Sequence, residues 1–389
     1  MLGIFIILFL ILIIAELIKG LSANGTPPVL QKFSWQMDLA HFMWSGIRTM
    51  RILLVVALVL VLVLGAGSRT AMLVAAVPLG LLWYGIYWVF NKFWVGKYKF
   101  LPIRQKVFVS ADDNKIDPAT QIIGVDHGGV QKAFPVPMLF YHHQIADEIA
   151  GKPIWATYCG LCRSGRVYDI EVDGRGLTFG LVGAISFNAV FRDDQTGSWW
   201  RQETGEAAKG PMQGRQLDDI PFEQMSLGNW LAKHPESLVL QHDPDFVGKY
   251  TFLGKLLNYE ASLPGWHRQE TPPLIIGVEV DTAARAYDWE ELKKQRLVND
   301  VLADVPLLVI SDDAGTSAFV YDRSLDGQVL TFEMSDDGMK DTETGSVWDT
   351  FGRCTSGPMS GKVLRQRQSY QQFLRAWITF HPETTFHSF

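Results

Sequence analysis

The sequence predicts an α+β protein in which β structure dominates, built as a tandem duplication of one mixed α/β unit and preceded by transmembrane helices. Three observations predict this class. Long uncharged aliphatic runs are confined to about the first quarter of the chain. Two later stretches resemble each other at a nearly constant offset. Within each stretch, short apolar runs alternate with Asp-Gly and Thr-Gly turn signals, a pattern typical of strands.

The first element is a transmembrane region over residues 1–95, with helices at 2–18, 50–67 and 70–90. Because about 20 apolar residues span a bilayer as a helix, the third run is long enough and the first is short. A cleaved signal peptide is the alternative for the first run, although it lacks a positively charged start. We expect an integral protein of the bacterial inner membrane, with the lipid bilayer as a partner.

Charge restricts both the partners and the orientation. The net charge is -6 and no Lys/Arg cluster is long enough to track phosphates, so nucleic acid is not a predicted partner. Positive residues follow the first and third apolar runs, whereas only Arg69 lies between the second and third. The positive-inside rule therefore places the soluble region in the cytoplasm.

The next elements are two related units. Residues 153–179 match residues 306–332 at an offset of 153. Self-similarity that keeps its order along the chain indicates repeated structural units. We predict a first repeat domain at 97–242, a linker excursion at 243–273 and a second, degenerate repeat domain at 274–389. Further matches continue the alignment: Ile123-Gly124-Val125 with Ile276-Gly277-Val278, Trp230 with Trp377, and His234-Pro235 with His381-Pro382.

Within the first copy, the pattern predicts a strand at Ile122–Val125, a helix from about Pro137 to Ala150, a strand at Ile154–Tyr158, and a hairpin of Arg166–Val172 with Leu177–Val182 around Asp173-Gly174. In the second copy, Asp288 with Glu291 and Ser369 with Gln372 have capping-box spacing, which predicts two helix starts. His234 and His381 recur beside Pro and are expected to be structural. Cys354 is expected to be a packed free thiol.

The sharpest chemical feature is Cys159-Gly160-Leu161-Cys162. Two thiols at this spacing can close a small disulfide or hold one metal ion, and the thiolate is the active form in both cases. Arg163 and Arg166 could lower a thiol pKa. Zinc normally takes four ligands, so a metal site would need the helix residues His142 and His143. Copper or zinc would suit such ligands. The alternative is a pair of buried cysteines without chemistry.

The duplication supplies an internal comparison for this site. The scaffold residues recur, whereas the chemical residues do not: Cys159 becomes Asp312, Cys162 becomes Gly315, His142 becomes Gln295 and His143 becomes Arg296. The cysteines and histidines are therefore expected to form one site in the first copy only. The second copy would be structural, or would offer a surface to a protein partner.

These residues also resemble a known family. Thr157-Tyr158-Cys159-Gly160-Leu161-Cys162, Val167-Tyr168-Asp169 and Asp194-Gln195-Thr196-Gly197-Ser198 resemble the domain of unknown function 3179, well over about residues 120–242 and more weakly in the second copy. That family usually has Pro where this chain has Gly160. The resemblance implies that His142 is its upstream histidine. It also implies that Cys159 is the essential thiol, because members can lack the second Cys. Members are often exported or lipid-anchored, which implies the opposite side of the membrane from the charge pattern.

Together these features predict a membrane-tethered thiol site, made of Cys159 and Cys162 and assisted by His142, for redox exchange or soft-metal binding. The alternative from another class is a non-catalytic interaction module fixed at the membrane. A third possibility uses Cys159 as a hydrolytic nucleophile with His142 as its base.

Overall fold

A computed structural model describes residues 1–24, 31–258, 273–335 and 338–389. It confirms an α+β protein, with about 35% strand and 34% helix. Strand does not dominate over the whole chain, because three long N-terminal helices balance the many short strands. The chain forms two compact units. One consists of Met1–Leu101, Leu177–Arg201 and Glu206–Arg215, and the other of Pro102–Gly176, Gln202–Gly205 and Gln216–Phe389.

The α-helices, in chain order, are α1 (Leu2–Ala23), α2 (Gln36–Leu64), α3 (Arg69–Trp88), α4 (Gly96–Lys99), α5 (Val136–His142), α6 (Leu227–Lys233), α7 (Val247–Asn258), α8 (Trp289–Gln295) and α9 (Leu374–Phe380). The strands before α7 are β1 (Phe108–Val109), β2 (Gln121–His127), β3 (Val130–Pro135), β4 (Gln144–Ile149), β5 (Lys152–Cys159), β6 (Ser164–Asp169), β7 (Glu171–Val172), β8 (Arg175–Gly176), β9 (Phe179–Ile185), β10 (Asn188–Asp193), β11 (Trp199–Arg201), β12 (Ala207–Lys209), β13 (Glu223–Ser226) and β14 (Leu238–Leu240). The strands after α7 are β15 (Leu274–Val280), β16 (Ala283–Asp288), β17 (Leu297–Leu302), β18 (Val305–Ser311), β19 (Ala318–Asp322), β20 (Ser324–Leu325), β21 (Gln328–Val329), β22 (Phe332–Ser335), β23 (Gly338–Asp341), β24 (Val347–Trp348), β25 (Cys354–Ser356), β26 (Arg365–Gln366), β27 (Ser369–Phe373) and β28 (Thr385–Phe386).

Three helices are long and apolar enough to cross a membrane: α1, α2, and the segment Ala66–Phe93 that contains α3. Two of them extend beyond the apolar runs. Helix α1 continues to Ala23, and α2 begins at Gln36, well before its uncharged part. The extra turns are stabilised by packing against a sheet, which the hydropathy pattern alone does not reveal.

The sheet in question is β12-β11-β10-β9, which belongs to the same compact unit as the helices. His41 of α2 meets the ring of Trp199 edge-on, with ring centroids 5.2 Å apart. Asn24, just after α1, forms a bridge with Ala184 of β9. The helices are thus in direct contact with this sheet. Their shared core contains Ala23, Met37, Ala40, Val182, Ile185, Val190, Trp199 and Ala208.

A charged cluster joins the three helical segments. Glu16 is fully buried and pairs with Arg51 at 2.5 Å. Asn91 donates to Glu16 at 3.1 Å, and Lys19 donates to the Asn91 side-chain oxygen at 2.5 Å. Because a charge among apolar helices is costly unless it is paired, this cluster explains how α1 accommodates the one acidic residue in its apolar run.

The other unit holds the remaining sheets. Their strand orders are β1-β14-β3-β2-β13, β4-β5-β6, β27-β15-β16-β28, β17-β18-β19-β26 and β22-β23-β24-β25, with the small hairpins β7-β8 and β20-β21. The largest core of this unit buries residues of both sequence halves, including Met225 and Trp230 with Leu308, Ile310 and Phe319.

The long helix predicted from Pro137 to Ala150 is wrong in its second half. Helix α5 ends at His142, because His143 adopts a left-handed conformation with φ 63°. The following residues form β4, which pairs with β5 along its whole length. Ala150 and Gly151 both have positive φ, so they make the hairpin turn between these strands rather than a helix cap.

Two further expectations need correction. Ser369 and Gln372 do not cap a helix, because they lie in strand β27, which pairs with β15. The Asp173-Gly174 turn is present with positive φ at both residues, but it joins only the short strands β7 and β8. Leu181 and its neighbours in β9 pair with β10 instead. In contrast, the Asp288 side chain does cap α8, since it accepts from the Glu291 backbone N–H at 3.0 Å.

The start of the predicted linker is helical, and His234 and His381 each contact a tryptophan. The linker begins with a 3₁₀ turn at Pro244–Phe246 and then α7, and its residues 259–272 lie outside the described part. His234 stacks on Trp230 with ring centroids 4.2 Å apart, and His381 stacks on Trp377 at 3.9 Å. Both histidines follow a short helix, as expected for structural residues.

Candidate functional site

The two vicinal cysteines lie at the end of a β-hairpin. Cys159 ends β5, and Cys162 lies in the turn that leads into β6. A disulfide joins them, and their Cα atoms are 5.4 Å apart. The Cys162 N–H donates to the Cys159 carbonyl at 3.2 Å. Their exposed fractions are 2% and 0%, so the structure holds the predicted thiols together, oxidised and buried.

Two neighbouring elements cover this turn. The ring of Phe140 in α5 fills the space where a side chain at Gly160 would lie. On another side, the Phe373 N–H of β27 donates to the Cys162 carbonyl at 2.8 Å. The Arg163 guanidinium lies 5.4 Å from the centre of the Phe373 ring. The turn is therefore held by α5 and by strand β27.

The turn at the matching positions 312–315 is closed by a carboxylate. Asp312 accepts from the Thr316 N–H at 2.6 Å and from the Ser317 N–H at 2.9 Å. Asn229, just before the middle of α6, donates to the same carboxylate at 2.8 Å. The cysteine turn is thus contacted by Phe373, where β27 leads into α9. The turn at Asp312 is contacted by Asn229, close to where β13 leads into α6.

A buried polar network lies beside the disulfide. Arg166 pairs with Glu203 at 2.5 Å, and it also donates to the Glu203 backbone carbonyl at 2.9 Å. The Ser164 hydroxyl lies 2.9 Å from the other carboxylate oxygen of Glu203. Gln202 donates to Thr157 at 3.1 Å. All five side chains are buried. This network is therefore a second group of polar and ionisable side chains close to the cysteines.

Neighbouring groups and burial set the protonation states of Arg166 and Tyr370 in this network. Burial lowers the pKa of Arg166, but Glu203 and the neighbouring Tyr370, Tyr168 and Glu279 together outweigh this and hold the pKa above its ordinary value. The Arg166 guanidinium also lies 3.8 Å from the centre of the Tyr370 ring. Burial raises the pKa of Tyr370 to about 12. Around neutral pH, the network therefore contains a charged guanidinium beside neutral phenol groups.

The predicted helper histidine faces another part of the molecule. His142 Nε2 lies 2.7 Å from the hydroxyl of Tyr250 in α7. Its ring meets that of Phe246 edge-on, with centroids 5.2 Å apart. Burial raises the pKa of Tyr250 well above its ordinary value, so this hydroxyl stays protonated and serves as a hydrogen-bond partner.

The remaining candidate, His143, is anchored through its backbone, whose carbonyl accepts from the Tyr158 N–H at 3.1 Å. Among the residues that the structure describes, no group of three or more His, Cys, Asp or Glu side chains is arranged to hold a metal ion. Cys354 is buried and free. The roles assigned to Cys159, Cys162, His142 and His143 stay predictions.

Sequence reasoning noticed Arg166 but missed its partner Glu203. The signal lies in the repeat alignment. Position 166 corresponds to Phe319, and the partner position corresponds to Phe351. In the structure these two phenylalanine rings meet edge-on at 5.8 Å. The matching positions thus hold an ion pair at Arg166 and Glu203 and an aromatic pair at Phe319 and Phe351. The sequence alone does not predict that these positions are in contact.

Comparison with known proteins places the chain in a family. No curated protein and no solved structure matches it. A family model described as a protein of unknown function, DUF3179, matches residues 101–384. This stretch covers most of the chain and includes the cysteine turn, its polar network and residues 274–384 of the second repeated stretch. The protein therefore belongs to the DUF3179 family.

Proposed function

We propose that this protein is a membrane-anchored thiol–disulfide exchange protein whose reactive pair is Cys159 and Cys162. The observation that carries the proposal is the contrast between the two turns. The second copy closes its turn with Asp312 and needs no cysteine, so the fold does not require sulfur at this place. The disulfide of the first copy is therefore best explained by its chemistry.

Access to the pair requires a small opening. Both sulfurs belong to buried residues, and the turn is held by the Phe140 ring and by the hydrogen bond from Phe373. A partner sulfur reaches the disulfide when one of these contacts opens. Local opening of such a turn costs much less free energy than global unfolding.

A redox titration of the purified full-length protein tests this function. The protein is equilibrated with mixtures of reduced and oxidised glutathione, and free thiols are counted after trapping. We expect one two-electron transition at a potential within the range of exchange proteins rather than of structural disulfides, which are reduced only below roughly -300 mV. Cys159→Ser and Cys162→Ser should each abolish turnover with a disulfide substrate.

Cys354→Ser is the matched control, because this cysteine is buried but lies outside the turn. It should leave both the potential and the turnover unchanged. A pair that resists all glutathione mixtures would contradict exchange and identify a structural disulfide. Copper or zinc bound stoichiometrically to the reduced protein, and lost in Cys159→Ser, would instead support the soft-metal function.

We also infer that residues 97–242 and 274–389 arose by tandem duplication. The order of elements supports this inference. In the first copy β2-β3-α5-β4-β5-β6 is followed by the hairpin β7-β8, the meander β9 to β12, a strand and a helix. In the second copy β15-β16-α8-β17-β18-β19 is followed by the hairpin β20-β21, the meander β22 to β25, further strands and a helix.

Individual contacts support the same inference, because side chains at matching positions touch matching partners. Three such pairs of contacts recur: Trp230 packs over Gly124 and Trp377 over Gly277; the Tyr168 hydroxyl donates to the Gln202 carbonyl and Tyr321 to that of Thr350; Trp200 donates to Asp193 and Trp348 to Asp341.

The second copy then acts as an internal partner of the first. Its strand β27 contacts the cysteine turn through Phe373, and its own turn receives Asn229 of the first copy. These contacts favour a supporting role for the second copy over a free surface for an unrelated protein. The interaction module remains the competing function, and it predicts that the cysteine variants have no phenotype.

A further inference from the structure

We propose that Glu203 accepts the proton of the reduced Cys159 through the hydroxyl of Ser164, and that Arg166 positions Glu203 for this step. The inference rests on the thiol–disulfide exchange proposed above. It assigns a chemical role to a buried carboxylate that no sequence motif identifies.

The strand register brings these groups to one face of the hairpin. Cys159 lies directly opposite Ser164, and Thr157 opposite Arg166. Residues directly opposite each other on antiparallel strands have Cβ atoms about 5 Å apart on the same face. The side chain of Cys159 is therefore next to that of Ser164, whose hydroxyl lies 2.9 Å from Glu203.

The ion pair itself points to function. A buried ion pair must overcome the loss of hydration of both charges, and replacing it with well-packed apolar residues is often neutral or stabilising. The second copy contains that replacement, since Phe319 and Phe351 occupy the matching positions and pack together. The same fold thus accepts an apolar pair here. The first copy keeps the charged pair beside its cysteines, whereas the second copy lacks both.

Charged and titratable neighbours surround Glu203 on several elements. Arg166 of β6 pairs with it directly. The Glu203 charge, after burial, helps to raise the pKa of Glu279 in β15. It also acts on His381 after α9, whose pKa burial lowers, and on Tyr370 of β27. Arg166 is thus a cation in direct contact with Glu203, and it holds the carboxylate beside the Ser164 hydroxyl.

The substrate is a disulfide, either in a protein or in a small molecule. The Cys159 thiol gives its proton to Glu203 through Ser164, and the thiolate attacks the substrate disulfide. One substrate thiolate leaves and takes a proton from solvent, while a mixed disulfide forms. Cys162 then loses its thiol proton to solvent, and its thiolate attacks the Cys159 sulfur of the mixed disulfide. The second substrate thiolate is released and takes the proton held by Glu203, which restores the carboxylate. Two electrons pass to the substrate, and the Cys159–Cys162 disulfide is restored.

The pH dependence of exchange tests the proposal. Full-length protein in detergent is reduced, freed of reductant and mixed with the aromatic disulfide DTNB in a stopped-flow instrument from pH 5 to pH 10. Because a positioned base contributes about 100-fold or more, Glu203→Gln should slow exchange by about that factor at neutral pH. Its rate should then rise only at higher pH, where solvent deprotonates the thiol. Ser164→Ala should move the profile in the same direction.

Matched substitutions serve as controls. Glu223→Gln removes another part-buried carboxylate, which pairs with Lys233 at 2.7 Å, and Ser317→Ala removes the serine at the matching position of the second copy. Both should keep the wild-type profile. The double substitution Arg166→Phe with Glu203→Phe installs the aromatic pair of the second copy. It should keep the disulfide and the melting temperature but exchange as slowly as Glu203→Gln.

The outcomes separate the two proposals. Wild-type protein that does not react with DTNB at any pH would contradict the exchange function and with it the proton transfer. A different outcome is that wild-type protein reacts and that Glu203→Gln, Ser164→Ala and the aromatic double variant all have the wild-type pH profile. This outcome would leave exchange intact and overturn only the role of Glu203.

Discussion

Residue 160 has no room for a Cβ atom, which explains why it is glycine. The Phe140 ring occupies the position that a Cβ at residue 160 would take. The glycine and the phenylalanine of α5 are therefore matched to each other. The cysteine turn can approach α5 closely only because residue 160 has no side chain.

We expect Gly160→Ala to destabilise the protein, because overfilling a packed site typically costs about 1–3 kcal/mol. Unfolding in denaturant, monitored by tryptophan fluorescence, measures the change. Gly176→Ala is the control, since no atom lies within 4 Å of a Cβ built there. Phe140→Ala combined with Gly160→Ala should recover part of the loss. A Gly160→Ala protein as stable as wild type would show that the ring moves aside freely.

The Asp-x-x-Thr-Gly-Ser turns of the two meanders, at 193–198 and 341–346, are the clearest example of an element held by one carboxylate. Asp341 accepts from the Trp348 indole N–H at 2.9 Å and from the Thr344 backbone N–H at 2.6 Å. Burial alone would raise the pKa of Asp341, but these hydrogen bonds hold it below the ordinary value of 3.8. The turn is therefore built for the ionised carboxylate.

This element should give the protein an acid-sensitive share of its stability. Because the folded pKa of Asp341 is depressed, its contribution is complete above pH 3.8 and is lost as the pH falls through the folded pKa. Asp341→Asn should cost about 2 kcal/mol at neutral pH, and the gap from wild type should shrink below pH 3.8. Asp326→Asn, at an exposed carboxylate paired with Lys362, should have little effect. A gap that is constant with pH would contradict the assignment.

At the scale of the whole molecule, two observations point to opposite sides of the membrane. The positive charges that follow the first and third apolar runs favour a cytoplasmic soluble region. A disulfide between Cys159 and Cys162 favours an oxidising compartment. The structure weakens the charge argument, because Lys19 and Arg51 are bound within the cluster around Glu16 and Asn91.

We therefore expect the soluble region to lie outside the cytoplasm. Alkaline phosphatase fused after Phe389 should be active in cells, because it folds only where disulfides form, whereas a fluorescent reporter that matures only in the cytoplasm should be dark. Trapping of thiols in intact cells should find Cys159 and Cys162 oxidised. An active cytoplasmic reporter with both thiols free would establish the opposite orientation.

Sequence reasoning succeeded where a pattern is local. Apolar runs predict the three long apolar helices, and short signals whose geometry depends on adjacent residues predict the Asp288 cap and the Asp173-Gly174 turn. It failed where distant residues decide. His142 ends its helix because the next residues pair with β5, and Glu203 meets Arg166 only in the folded chain. Neither partner is predictable from spacing, since both contacts depend on the packing of separate strands.

The hydrogen bond between Phe373 and Cys162 also has a consequence for biosynthesis. Phe373 lies far downstream of the cysteine turn in the chain, so the ribosome makes both cysteines long before it makes the strand that covers them. During that interval the nascent turn is open to cellular oxidants and isomerases. A disulfide that forms in this interval would be covered when the chain is complete, so the order of synthesis would favour pairing of Cys159 with Cys162.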